Sequence, residues 1–192
     1  MLKNLENISI VLGSQSPRRS ELLKAMGVDF EVVVKTTDES YDEALSPKEI
    51  AVAIAEQKAS AFQTTEFQDK LVITADTIVV ANHLILGKPK DSDAAKEMLS
   101  LLSGNTHEVM SAVTLLWKGQ VNTFVEVTAV TLNPLTYDEI AYYVNQYQPF
   151  DKAGSYGIQE WIGLVGILKL EGTYTNVVGL PTARLYQELK KI

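Results

Sequence analysis

Along this chain the spacing of apolar residues switches repeatedly between the runs of a strand and the three-to-four spacing of a helix. Residues 8–12 form a short, nearly continuous apolar run, the pattern of a buried strand, and Gly13 ends it at a turn. A helix is predicted directly after it: Ser16 suits the N-cap and Pro17 the first helical position. Leu22, Leu23 and Met26 then recur on one face until Gly27 stops the helix. Residues 30–34 read as a second strand and 37–43 as an acidic loop, and Ser46, Pro47 and Glu49 announce a helix through a capping box. That helix runs to Phe62, with Lys58 near the border of an apolar face made by Ile50, Ile54 and Ala61.

Residues 71–80 are rich in strand formers but are interrupted by Thr74, Asp76 and Thr77, and residues 81–83 turn the chain into a short strand at 84–86. Asp91 caps a helix that lasts through Leu102 and is stopped by Ser103 and Gly104. Residues 109–117 and 121–132 flank Lys118, Gly119 and Gln120 as a hairpin. Thr136 and Glu139 form a second capping box, opening a helix to about Gln146. A glycine-rich loop covers 149–158, residues 162–170 return as a strand, and 180–191 close the chain as a helix. The alternation predicts an α/β fold: one mixed, twisted sheet flanked by helices, mixed because a hairpin is antiparallel.

A chain of 192 residues buries roughly 70% of its unfolded surface, enough for one large domain or two small lobes. The formal net charge of -7 argues against a general nucleic-acid binder, which needs a basic face to neutralise phosphates. A local group of cations can still hold a small polyphosphate. The absence of cysteine rules out disulfides, thiolate nucleophiles and cysteine zinc sites. The polar first seven residues lack the apolar run of a signal peptide, and no stretch nears the roughly 18 apolar residues of a membrane span. A cytoplasmic protein with no membrane partner is expected.

Two constellations carry candidate chemistry. Ser14, Ser16, Arg18 and Arg19 lie where a strand hands over to a helix N-terminus, which offers unpaired N–H groups and partial positive charge to a phosphate. Guanidinium groups add bidentate donors. A capped helix with two solvated arginines satisfies the same residues equally well. Asp76, flanked by apolar strand residues, must be paired, metal-bound or aimed into a cleft, because an isolated buried carboxylate costs several kcal/mol. It fits a water-activating base, and it also fits a structural acid satisfied by a lysine.

The remaining candidates are weaker. On spacing alone Lys58, Lys88 and Lys152 read as solvated surface charges, and Glu39 as part of an acidic loop able to coordinate magnesium. His107 reads as a hydrogen-bonding residue at a strand start and His83 as a turn residue, and their spacing does not make a zinc site. No Gly-x-Ser-x-Gly elbow is present.

Taken in order, the segments resemble the Maf family of nucleotide pyrophosphatases, whose fold is similar to that of the inosine triphosphate pyrophosphatases (Maf/Ham1). The markers are Ser14-Gln15-Ser16-Pro17-Arg18-Arg19-Ser20-Glu21-Leu22-Leu23, Asp38-Glu39, Glu56-Gln57-Lys58-Ala59, Ala75-Asp76-Thr77, Gly87-Lys88-Pro89 and Leu102-Ser103-Gly104. Thr106-His107, Asp151-Lys152-Ala153-Gly154, Tyr156-Gly157-Ile158-Gln159 and Val177-Val178-Gly179-Leu180-Pro181 complete them. They run from about residue 8 to 184, nearly the whole chain.

The resemblance implies one Maf-like domain over 1–192, two lobes about a central nucleotide cleft being the alternative division. It implies that Arg18 grips the triphosphate with Ser14 and Arg19 in support, and that Lys58 and Lys88 neutralise phosphate charge. Asp76 is implied as general base, Glu39 as holding or orienting a divalent metal (Mg or Mn) and the water, and Thr77 and Gln159 as choosing the base. Glu39 and Asp76 are the candidate metal ligands. The segment at 152–159 resembles the branch acting on dTTP and UTP, and Gln159 offers an amide suited to the N3–H and carbonyl edge of thymine or uracil. Ser155, Glu160 and Gly87 depart from that branch's commoner Ala, Gly and Glu. The rival readings are a nucleotide-sensing regulator of septum formation and the sister branch's chemistry on methylated guanine nucleotides, UTP or CTP. A homodimer is common in the family.

Overall fold

Strand β1 (Ser9–Leu12) arises from the first apolar run and is the parallel partner of two others in the computed structural model, which describes residues 2–192. One is the two-residue β2 (Glu31–Val32). The other is β3 (Lys70–Ala81), in a register that sets Ser9 opposite Lys70 and Leu12 opposite Ile73. β4 (Leu84–Leu86) folds back antiparallel on β3 through Asn82 and His83, whose φ values of 49° and 63° are those of a two-residue hairpin turn. β5 (Thr106–Trp117) and β6 (Gln120–Leu132) are joined by Lys118 and Gly119, with φ of 48° and 75°. The turn is thus two residues long, and Gln120 belongs to the strand rather than to the turn. β7 (Ile167–Glu171) lies antiparallel on β6. The order is β2-β1-β3-β5-β6-β7, with β4 beside β3, so the seven-stranded sheet is mixed as expected.

The chain divides into two compact units. The first comprises Met1–Asp76, Ser111–Glu126 and Gly179–Ile192. Its strands obey the period of two. Ile10, Leu12, Leu71, Ile73, Val113 and Leu115 pack with Leu23 of α1 (Pro17–Ala25) and with Leu185 and Leu189 of α7 (Thr182–Leu189). The intervening Val11, Val72 and Leu116 pack with Ala59 of α2 (Pro47–Ser60) and with Phe62. Helices therefore cover both faces, and full burial of each Leu or Ile contributes about 1.5–3 kcal/mol. Thr74 shares the face of Val72, and its hydroxyl donates to the Ala55 carbonyl of α2 at 2.8 Å. Asp76, two residues on, points the same way.

The second unit comprises Thr77–Met110 and Val127–Val178. Ala95, Leu99 and Leu102 of α3 (Ser92–Leu102), Ile140, Tyr143 and Val144 of α4 (Tyr137–Tyr147), and Ile162 of α5 (Trp161–Gly166) bury Val79, Ala81, Val109, Val130 and Leu132. A five-residue helix α6 (Tyr174–Val178) ends it.

Both capping boxes form, and Asp91 caps α3 through the Ala94 N–H at 2.8 Å. Four further expectations are corrected. The predicted strand at 162–170 is helix α5 followed by β7, because a run of apolar residues does not settle its own period. Only glycine fits at 163, where a Cβ would stand 1.7 Å from the Ile158 carbonyl oxygen. The strand at 30–34 shrinks to β2, whose residues are exposed, and the last helix begins at Thr182, beyond Pro181. Ser16 holds the N-cap position of α1, but its hydroxyl makes no capping bond.

Candidate active site

The loop that carries Ser14 is built where β1 ends. Gly13 donates its N–H to the Ile73 carbonyl at 2.8 Å, and a Cβ there would lie 2.8 Å from Thr74 and 2.9 Å from Phe62, so the loop must leave the strand on a glycine. Ser14, buried, accepts from the Ser16 N–H and from Arg19 Nη1, each at 3.2 Å. Arg19 further donates from Nη1 to the Ala75 carbonyl at 2.8 Å and from Nε to the Gly179 carbonyl at 2.9 Å. Burial holds its pKa below the usual guanidinium value, with the charge of Asp76 opposing. It stays a cation, since arginine is not deprotonated in proteins. Arg18 is half-buried in the first turn of α1.

Asp76 follows Ala75 on β3 and meets the other cation. Lys58 of α2 donates from Nζ to Asp76 Oδ1 at 2.6 Å and approaches Glu39 Oε1 at 3.1 Å. The Asp76 and Lys58 side chains are 13% and 17% exposed, whereas Glu39 is 53% exposed on its loop. Gln57, the residue before Lys58, donates from Nε2 to the Ser40 carbonyl at 2.9 Å and so ties the acidic loop to α2. Two consecutive residues of β3 thus receive Arg19 on a main-chain oxygen and Lys58 on a carboxylate. This corrects the spacing-based view of Lys58 as a solvated charge.

The other sequence-derived candidates belong to the second unit. Thr77 is half-buried on β3, while Lys88, in the loop after β4, and Gln159 are exposed. Lys152 is only 8% exposed and pairs with Asp151 at 2.7 Å and Glu160 at 3.1 Å, so its reading as a surface charge is also corrected. His107 Nε2 and the Tyr156 hydroxyl are 2.7 Å apart, as expected of a structural histidine. Burial pulls the His107 pKa down to about 4, leaving the ring neutral near pH 7. Tyr143 and Glu160 were not legible as site candidates: Tyr143 falls on the apolar face of its helix, and no motif marks its hydroxyl.

Among the described residues no cluster of three or more His, Cys, Asp or Glu could hold a metal. The donors at hand are instead the oxygens of Asp76 and Glu39, both drawn to one Lys58 ammonium. That set suits a hard divalent cation of the magnesium kind, which is commonly held by one or two carboxylates together with substrate phosphates rather than by a protein cage.

The sequence profile of the Maf-like proteins matches residues 9–192. The chain belongs to the Maf family. Full-length Maf relatives share about half its residues: it is 49% identical to the dTTP/UTP pyrophosphatase of Phocaeicola vulgatus and 50% identical to that of Bacteroides fragilis, each over 100% of both chains. The dTTP/UTP pyrophosphatase of Flavobacterium psychrophilum is 48% identical over 96% of this chain and 94% of its own. Among solved structures, the Staphylococcus aureus Ham1 protein aligns over 94% of this chain and 99% of its own, at 18% identity and a TM-score of 0.48.

Proposed function

We propose that this chain is a dTTP/UTP pyrophosphatase, cutting the nucleotide between its α and β phosphates to give the monophosphate and pyrophosphate. What carries the reading is the convergence of the strand carboxylate Asp76 and the loop carboxylate Glu39 on the Lys58 ammonium, with Asp76 next to the residue that receives Arg19. The full-length identity to relatives named for that activity supports it.

In this reading Asp76 accepts a proton from a water whose oxygen attacks the α phosphorus. The bond from that phosphorus to the bridging oxygen breaks, and pyrophosphate leaves with the bond's electrons. Lys58 has three donors, of which two are directed at Asp76 and Glu39, and it fixes the carboxylate while adding positive charge beside the phosphates. Arg18, at the uncapped start of α1, binds phosphate oxygens, and Arg19 sets Ser14 for the same anion. Lys88 is assigned to phosphate charge, and Thr77 and Gln159 to the base, on the resemblance. Asp76 and Glu39 would hold the divalent cation, Mg or Mn, that offsets triphosphate charge when bound. Cytoplasmic action on free nucleotides and a homodimeric state complete the reading.

A panel of dTTP, UTP, CTP and methylated guanine triphosphates with Mg or Mn tests it, scored as pyrophosphate against orthophosphate. Pyrophosphate from dTTP and UTP is expected. Orthophosphate as first product would mean a phosphatase, preference for methylated guanine nucleotides or CTP would mean the sister activity, and no product would favour a nucleotide sensor.

A further inference from the structure

We infer that Tyr143 and Glu160 are positioning residues that set the 152–159 segment and thereby aim Gln159 at the pyrimidine base. The inference rests on the base-reading role of Gln159 given above.

The segment is pinned at successive points. Gly154 donates its N–H to the Gly87 carbonyl at 3.2 Å, Ser155 Oγ meets Met98 Sδ at 3.0 Å, and the Tyr156 hydroxyl meets His107 at 2.7 Å. Gly154 needs its positive φ of 69° and lies against Val79, where an added Cβ would come within 3.0 Å. Beyond Tyr156 the hold passes to one buried phenol. The Tyr143 hydroxyl accepts the Gly157 N–H at 2.9 Å and donates in turn to Glu160 Oε2. The other Glu160 oxygen reaches Lys152 Nζ at 3.1 Å, which ties the end of the segment to its start.

Gln159 stands between these two attachments. A Cβ at Gly157 would come 2.8 Å from Glu160 Cδ and 3.1 Å from Gln159 Nε2, so the ends of both side chains lie close against this glycine. Burial first, and the bond to Glu160 second, push the Tyr143 pKa up, so the phenol keeps the proton it donates. One hydroxyl therefore governs the backbone before Gln159 and the side chain after it. A base read by an exposed amide needs that amide held in one place, since a donor that wanders discriminates poorly between N3–H and N3.

The test is steady-state kinetics on dTTP and CTP for the wild type, Tyr143→Phe, Glu160→Gln, Gln159→Ala and the double variant Tyr143→Phe/Gln159→Ala, with a melting temperature for each. Tyr143→Phe is expected to lower the dTTP-over-CTP ratio of kcat/KM by about tenfold, the size of one misplaced hydrogen bond. The loss should appear in KM for dTTP, with kcat changed by less than about twofold. The double variant should discriminate no worse than Gln159→Ala alone, because both changes act on one contact. Glu160→Gln keeps an acceptor for Tyr143 but loses the charge facing Lys152, and should lower the ratio by a smaller factor. If Tyr143→Phe does not fold, Glu160→Gln decides alone. An unchanged ratio with uniformly reduced activity, or losses that add in the double variant, would overturn the positioning role. A wild type that cleaves neither nucleotide would instead overturn the function on which the role rests, and the two failures are thus distinct.

Discussion

The two units hold their polar groups in opposite ways. In the first, the groups assigned to chemistry are full charges: Arg19 bonded to Ala75, and Lys58 shared between Asp76 and Glu39. In the second, the segment assigned to base choice hangs largely on neutral bonds from Tyr143, Tyr156 and the Gly154 amide, with Lys152 and Glu160 its one ionic tie between segment ends. The difference matches the proposed roles. A triphosphate is the same in every nucleotide and is recognised by charge, whereas bases differ in the direction of single donors and acceptors and are told apart by position.

The contrast can be broken most severely at Asp76. Asp76→Asn keeps the shape but cannot take a proton, and kcat should fall by roughly 10²–10⁴-fold, the usual worth of a general base. Binding of dTTP, measured by calorimetry, should survive. Retention of most turnover would remove Asp76 from the base role.

The second unit should instead fail through packing. Gly163→Ala places a methyl 1.7 Å from the Ile158 carbonyl oxygen, in α5 just after the segment assigned to base choice. A loss of roughly 4 kcal/mol or more is expected in denaturant unfolding, at the exceptional end for a single substitution. A variant as stable as the wild type would mean the chain passes that point differently.

His107 sharpens the comparison through pH. Its pKa is depressed to about 4 when folded, against about 6.5 when unfolded, so the unfolded chain binds the extra proton. Its contribution is complete above pH 6.5 and is lost as pH falls toward 4, by up to about 3 kcal/mol. His107→Gln should remove that part of the acid slope, seen as a smaller stability difference between pH 7 and pH 4. An unaltered slope would contradict it. The smallest effect belongs to α2, which carries Lys58: Ser46→Ala should cost about 1 kcal/mol by removing the cap on the Glu49 N–H. A cost near zero in the same unfolding measurement would show the cap to be idle.

How far the sequence revealed this arrangement depended on whether the signal was local. Capping boxes at Ser46 and Thr136 and the Asp91 cap are decided within four residues, and all were legible. So was the need of Asp76 for a partner, because strand period and burial demand one. Its partner was not, since Lys58 is 18 residues away and its spacing resembles that of any surface lysine. Lys152 misled for the same reason, its burial being set by packing in the second unit. The run 162–170 failed because leucine, isoleucine and valine bury equally well in either period, and the deciding contact is a glycine against the Ile158 main chain. Tyr143 was hidden most completely. Its ring serves the apolar face of α4, and nothing local shows that its hydroxyl reaches Gly157.

The measurement that bears most directly on the whole account is hydrolysis of dTTP in ¹⁸O-labelled water, with the label located by mass spectrometry. Attack at the α phosphorus predicts ¹⁸O in the thymidine monophosphate and none in the pyrophosphate. Label in the pyrophosphate, or in orthophosphate, would contradict it.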